Sequence, residues 1–226
     1  MKLGLFDSGL GGMVVLESFQ KHFPDLEILI EMDRKNAPYG DKTSDEIKNL
    51  TLQGVENLFE KGADVVILAC NTASVHALRW LQTEKMFGKH ILGVTIPGAE
   101  AILENGYKKV GVLATQATVN IRGYKDRVHL FDDSVKIEEV GTTNLVALIE
   151  KNQIDSPEMQ KYIEKYIEEF SSDIKALVLG CTHFPLIRSQ IEAAWKKIHK
   201  MPLPVIIDPG EEAAKKFKDW MKRKKF

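Results

Sequence analysis

Two cysteines in matching sequence contexts are the residues best suited to chemistry. Cys70 and Cys181 each end an uninterrupted apolar run, in ADVVILAC and IKALVLGC, and small hydroxyl or amide residues follow each of them. A helix N-terminus lowers the pKa of a thiol, because its unpaired N–H groups and dipole stabilise the thiolate. One thiolate and one thiol on opposite faces of a carbon could remove a proton from one side and deliver one to the other. The pair therefore indicates a reaction that inverts a stereocentre.

Other interpretations of the cysteines explain less. A single cysteine at a crowded turn is more often a small buried apolar residue, but two at matching positions favour a shared role. A cysteine protease needs one nucleophile, one base and one oxyanion hole, which leaves the second thiol without a function. His183 could serve such a dyad, but we favour the interpretation that it tunes Cys181. The remaining histidines do not cluster and are interpreted as structural or exposed: His22, His76, His90, His129 and His199.

A glycine-rich turn, DSGLGG at residues 7–12, follows the first apolar run. It could be taken for a phosphate-binding turn. However, a dinucleotide fingerprint counted from Gly9 requires glycine or alanine where the chain has Val14, and no GK[ST] follows for a P-loop. We therefore expect a tight turn that presents Asp7 and Ser8 to a cleft.

Apolar runs alternate with helical spacing along the whole chain. Runs that are apolar at every position are typical of strands covered on both faces of a parallel sheet. The alternation therefore predicts an α/β fold of the doubly wound type. Predicted strands span residues 2–6, 27–31, 65–69, 90–95, 109–115, 135–140, 176–180 and 205–207, and predicted helices include 72–82, 118–130, 144–151, 157–170 and 185–199.

The second half of the chain repeats the first. KVGVLAT at residues 109–115 aligns with KLGLFDS at residues 2–8 when Gly111 is set against Gly4, at nearly the offset that separates the two cysteines. This predicts two similar doubly wound parallel-sheet domains from an internal duplication, facing each other across a cleft. We expect residues 1–97 plus 208–226 to form the first domain and residues 98–207 the second. Because such sheets bind ligands at the carboxyl ends of their strands, each side of the cleft should present one thiol.

Composition narrows the functional classes. The formal net charge of −1 gives no reason to expect nucleic acid or a membrane as a partner, and the basic residues near the end, Lys215 to Lys225, are interpreted as a solvated face.

The N-terminal sequence has no signal-peptide pattern, so a cytoplasmic protein with reduced thiols is expected. Two cysteines are too few for a four-ligand zinc site without several histidines, and no metal is expected. We expect a small-molecule partner and leave a homodimer open.

A family resemblance covers nearly the whole chain. FDSGLGG, PYG, ACNTAS and LGCTHFPLI, in this order, resemble signatures of the cofactor-independent aspartate/glutamate racemase superfamily, and FDSGLGG with PYG resembles its glutamate branch. The resemblance implies interconversion of L- and D-glutamate without a cofactor or metal, supplying D-glutamate for bacterial peptidoglycan synthesis and the cell wall. It also implies that Cys70 and Cys181 are the two catalytic acid/bases.

The resemblance extends to residues around the two thiols. It implies that Asp7 assists the first thiol, whereas His183 and Glu150, the latter placed by LVALIE, assist the second. Residues implied to hold the carboxylates and ammonium group of the substrate are Ser8, Tyr39, Gly40, Asn71, Thr72, Thr118 and Thr182.

Two positions depart from the superfamily pattern. Ile96 stands where a glutamate usually precedes Pro-Gly, and Ile121 stands where a serine is usual. Two alternatives therefore stay open: a racemase of the same superfamily acting on another amino acid such as aspartate, and a non-catalytic homologue that binds an amino acid.

Overall fold

Two parallel four-stranded sheets organise the computed structural model, which describes residues 1–224. The first half of the chain forms β1 (Lys2–Asp7), α1 (Gly12–His22), β2 (Glu27–Met32), α2 (Ser44–Glu60), β3 (Val65–Leu68), α3 (Asn71–Trp80), β4 (His90–Gly93) and α4 (Thr95–Glu104). The second half forms β5 (Lys109–Thr115), α5 (Gln116–Asn120), α6 (Lys125–His129), β6 (Lys136–Thr142), α7 (Leu145–Glu150), α8 (Pro157–Glu168), β7 (Ala176–Gly180), α9 (Arg188–His199), β8 (Val205–Ile207) and α10 (Pro209–Lys224).

The two sheets have the same topology. Their strand orders are β2-β1-β3-β4 and β6-β5-β7-β8, so β1 corresponds to β5 and β3 to β7. Every strand pair in both sheets is parallel. This confirms the predicted fold class and is the arrangement that an internal duplication would produce.

The strands that precede the cysteines lie inside their sheets and are buried along their whole length. Side chains of β3 alternate between two cores, with Val66 and Leu68 packing under α2 and α3, and Val65 and Ile67 packing under α1 and α10. A strand covered on both faces has no polar side to expose, which is why its sequence shows no alternation. The central strands are therefore rigid supports for the turns that follow them.

The prediction around Pro97 was wrong in part. The strand predicted at residues 90–95 ends at Gly93, and the missed helix α4 begins at Thr95. Pro97 lies in the first turn of this helix, where a missing N–H removes no intrahelical bond. The predicted domain boundary therefore falls within α4, and the division into 1–97 plus 208–226 and 98–207 stays a prediction.

Two other helices begin or end differently from their predictions. The helix predicted at 118–130 is two short helices, α5 and α6, separated by a turn in which Arg122 has a φ of 55°. The helix predicted at 185–199 starts as a 3₁₀ turn, Phe184–Ile187, and becomes α-helical only at Arg188. Thr43 and Glu46 form a capping box at the start of α2, and Ser156 caps α8.

Two further findings concern the described part of the chain. None of its helices combines the length and apolar character required to cross a membrane. Within residues 1–224, no group of three or more histidine, cysteine, aspartate or glutamate side chains could hold a metal ion. Lys225, part of the predicted basic face, lies outside the described residues.

Candidate active site

Both cysteines line one cavity at the carboxyl ends of β3 and β7, so each sheet contributes one thiol. Cys70 is the N-cap of α3, and its Sγ accepts a hydrogen bond from the Ala73 N–H at 3.4 Å. Cys181 directly follows β7. The cavity has a volume of about 10 Å³ and is lined by Ser8, Pro38, Tyr39, Gly40, Cys70, Asn71, Thr72, Thr115, Val146, Cys181, Thr182 and His183.

A cavity of this volume is barely large enough to hold one water molecule. The site is therefore closed in this structure and has no room for an amino acid.

Most residues singled out in the sequence meet at this cavity. Nine of them line it directly: Ser8, Tyr39, Gly40, Cys70, Asn71, Thr72, Cys181, Thr182 and His183. Three others stand behind the lining and contact it: Asp7 accepts from Thr182, Glu150 pairs with His183, and Thr118 bonds Thr72.

Cys70 is buried in surroundings that disfavour a negative charge. Burial raises the pKa of its thiol to about 12, the negative charge of Asp7 adds to this rise, and hydrogen bonds from Ser8 and the Ala73 N–H only partly oppose it. Ser8 Oγ lies 3.4 Å from Cys70 Sγ. The expectation that a helix N-terminus would lower the pKa of this thiol is wrong in the closed state, because desolvation outweighs the helix dipole.

The expectation that Cys181 lies at the N-terminus of an α-helix is wrong. A turn and a 3₁₀ segment follow this cysteine, and the α-helix begins seven residues later at Arg188. A histidine stands beside the sulfur instead. His183 Nδ1 lies 3.6 Å from Cys181 Sγ.

His183 is held between a thiol and a carboxylate. Its Nε2 lies 2.6 Å from Glu150 Oε1. Burial alone would lower the pKa of His183, but the hydrogen bonds to Cys181 and Glu150 raise it to about 10. The bond to His183 in turn lowers the pKa of Glu150. With this pKa the ring is an imidazolium at neutral pH, with Nδ1–H facing Cys181 and Nε2–H facing Glu150, and in that form Nε2 cannot accept from the Gly11 N–H that lies 3.3 Å away.

Asp7 connects the two halves of the site. Its Oδ1 accepts from Thr182 Oγ1 at 3.1 Å, and its Oδ2 accepts from the Gly9 N–H at 3.0 Å. Burial raises the pKa of Asp7 to about 6, whereas the positive charge of His183 and these hydrogen bonds lower it. The carboxylate is thus charged at neutral pH but protonates in mild acid.

The glycine-rich turn allows the two halves to approach. The Leu10 N–H donates to Glu150 Oε1 at 2.7 Å. A Cβ on Gly9 would overlap Glu150 Oε1, and one on Gly11 would overlap Thr182 Oγ1 and lie 2.8 Å from His183 Nδ1. The turn therefore serves close packing against the second half.

Replacing Gly11 by alanine should disturb this site without unfolding the protein. The added Cβ pushes Thr182 and His183 away from Asp7 and Cys181, and a displacement near 1 Å in a catalytic constellation can cost about 10²-fold in rate. We expect kcat/KM to fall by about 10- to 100-fold. Met13→Ala, at an exposed position in the first turn of α1, is the matched control, and an equal loss in both variants would contradict this account.

The hydroxyl groups of three threonines bond one another at the cavity. Thr72 Oγ1 lies 2.8 Å from Thr115 Oγ1 and 3.3 Å from Thr118 Oγ1, and the last two lie 3.0 Å apart. Thr115 was missed as a site residue, although its alignment with Ser8 in the repeat was a usable signal. Pro38 and Val146 were also missed, although they lie in the PYG and LVALIE segments that the resemblance singles out.

Known racemases resemble this chain in sequence and in structure. Residues 15–217 match the family model described as Asp/Glu/Hydantoin racemase. A glutamate racemase of Aquifex aeolicus is 32% identical over 98% of this chain and 84% of its own length, and one of Ruegeria pomeroyi is 38% identical over 83% and 74%. The crystal structure of a Francisella tularensis glutamate racemase in complex with D-glutamate superposes with a TM-score of 0.88 at 28% identity, covering 99% of this chain and 82% of that one.

Proposed function

This chain belongs to the Asp/Glu/hydantoin racemase family, and from that premise we propose that it interconverts L- and D-glutamate by proton transfer between Cys70 and Cys181. The observation that carries the proposal is that the two thiols, which follow equivalent strands of two sheets, line one cavity. Glutamate is the substrate that the names of the similar proteins support. The product D-glutamate would enter peptidoglycan synthesis, and a reducing cytoplasm would keep both thiols free.

In each turnover, the Cα of the substrate loses one proton and gains another. A thiolate takes the Cα proton, the electron pair of the broken C–H bond stays on the substrate, and the second thiol donates its proton to the opposite face. Cys70, with its pKa raised to about 12, holds its proton at neutral pH, and the cationic His183 lies 3.6 Å from Cys181 Sγ.

The transition state carries extra negative charge on the carboxylate next to Cα. Fixed dipoles aimed at that charge lower the barrier, because they need no reorganisation during the reaction. The hydroxyls of Ser8, Thr72 and Thr182 and the amide of Asn71 line the cavity and can serve this purpose. Closure of the two halves excludes water and strengthens each contact.

The charge of Asp7 should set the acid limb of the pH profile. Its pKa is raised from 3.8 to about 6, so the carboxylate gains a proton as the pH falls through 6 and can no longer accept from both Thr182 and the Gly9 N–H. We expect kcat/KM for glutamate to decline below about pH 6. In Asp7→Asn the rate at pH 8 should be lower and this limb should disappear. An unchanged limb in the variant would assign the titration to another group.

Exchange in D2O tests the proposed activity. Single enantiomers of glutamate and aspartate are incubated with the protein, and proton NMR with chiral chromatography follows deuterium at Cα and the appearance of the other enantiomer. We expect racemisation with deuterium incorporation for glutamate. Preferential exchange of aspartate, or no exchange of either amino acid, would reject glutamate racemisation.

A further inference from the structure

Tyr124 joins the two halves of the site, although its sequence context, IRGYKDR, indicates only a helical segment. The side chain is fully buried in the core of the second sheet, at the start of α6. Its hydroxyl nevertheless reaches the first half and donates a hydrogen bond to Asn71 Oδ1. A core tyrosine thus contacts a residue that lines the cavity.

The ring of Tyr124 is fixed by two glycines. A Cβ added to Gly98 or to Gly180 would lie 3.2 Å from a ring carbon of Tyr124, so the backbone at both positions contacts the ring closely. Gly180 directly precedes Cys181, and Asn71 directly follows Cys70. One rigid side chain therefore connects the turns that hold the two thiols.

The hydrogen bond determines which end of the Asn71 amide faces the cavity. Oδ1 accepts from Tyr124, and no acceptor within residues 1–224 bonds Nδ2. Burial raises the pKa of Tyr124 well above its usual value, so the phenol stays a donor at any pH at which the enzyme works. An amide with its oxygen held in this way presents two N–H donors to a ligand.

We propose that Tyr124 is a positioning residue that orients the Asn71 amide so that Nδ2 donates to a carboxylate of the substrate. The inference rests on the proposed function, because it assigns a partner to a donor in that site. Without the phenol hydroxyl, the amide can rotate by about 180° and turn Oδ1 toward the substrate. A carbonyl oxygen facing a carboxylate repels it, and the charge-assisted hydrogen bond is lost.

A double-mutant cycle on Tyr124 and Asn71 tests the proposal. Wild type, Tyr124→Phe, Asn71→Ala and the double variant are compared for KM and kcat with each enantiomer of glutamate, with thermal unfolding as a check on folding. Tyr166→Phe is the matched control, because it also removes a buried hydroxyl of the second half, one that bonds Thr143 away from the cavity.

We expect Tyr124→Phe to raise KM about tenfold, with a smaller change in kcat, and Tyr166→Phe to leave KM unchanged. In the Asn71→Ala background, Tyr124→Phe should have no further effect on KM, because the residue acts through the amide. Asn71→Asp, which replaces the donor with a negative oxygen, should raise KM at least 100-fold.

Three results would overturn the proposal. They are an unchanged KM in Tyr124→Phe, an additive effect of the two substitutions, and unimpaired glutamate binding by Asn71→Asp. The last variant keeps the test decisive even if Tyr124→Phe does not fold. A wild-type protein that fails to racemise glutamate in the same assay would instead reject the proposed function, and this inference with it.

Discussion

Replacing either cysteine by serine is expected to reduce glutamate racemisation by about 10²–10⁴-fold, the contribution of a positioned acid or base. Serine keeps the size and shape of the site but is far less acidic than a thiol. Because each turnover needs both groups, Cys70→Ser and Cys181→Ser should each impair the reaction in both directions. Racemisation rates in both directions, measured by chiral chromatography, check this expectation.

The cysteine variants need a control for folding, since both thiols are buried. Each substitution is small, and we expect thermal unfolding within a few degrees of wild type. Loss of activity together with loss of the folded state would leave catalysis unresolved, so the comparison uses only variants with native unfolding curves. Near wild-type rates in either folded variant would contradict a mechanism that requires two thiols.

Replacing His183 by glutamine is the second large effect that we expect. Glutamine can hydrogen-bond but cannot carry the positive charge that the raised pKa of His183, about 10, gives the ring at neutral pH. In the variant, the positive charge 3.6 Å from Cys181 Sγ is lost, and with it the charge that helps to lower the pKa of Glu150. We expect kcat to fall by about 10²-fold. The decline of the wild-type rate above about pH 10 should be absent in the variant.

His129→Gln is the matched control for this experiment. His129 is a partly buried histidine whose Nε2 bonds the Val135 carbonyl at 2.9 Å, and it does not line the cavity. We expect a change of less than threefold in kcat. If both histidine variants lost activity equally, the effect would be one of folding and not of charge beside Cys181.

Hydrogen bonds between the two halves hold the site closed. Bonds such as Leu10–Glu150 and Thr182–Asp7 join the two halves around the cavity of about 10 Å³. The same groups also hold His183 and Asp7. Any opening of the site that broke these bonds would therefore also displace His183 and Asp7, as in enzymes whose lids complete their sites.

The sequence predicted the sheets well because local pattern and burial coincide there. Strands β3 and β7 are buried on both faces, and their sequences are apolar throughout. The helix α4 was missed because Pro97 and Gly98, which usually mark a turn, lie in its first turns. Local residue preference gave the wrong answer there, since packing of Ala99 and Ile102 against the second sheet stabilises the helix.

The sequence predicted which residues lie at the cavity, but it did not predict their pKa values. Cys70, Asp7 and His183 follow from motifs in the sequence, yet their protonation depends on burial and on partners from the other half. No local pattern could show that desolvation raises the pKa of Cys70 to about 12. Likewise, Tyr124 resembles an ordinary core residue until the fold brings its hydroxyl to Asn71.

The central claim, that two thiols act on opposite faces of one carbon, is tested most directly by where solvent deuterium first appears. L-glutamate is incubated with the enzyme in D2O, and both enantiomers are recovered after less than about a tenth of the reaction. Two separate acid/bases predict D-glutamate that is fully deuterated at Cα and remaining L-glutamate that is unlabelled. Protonated product, or deuterium in recovered L-glutamate at the same rate as in product, would show a single base and contradict the account.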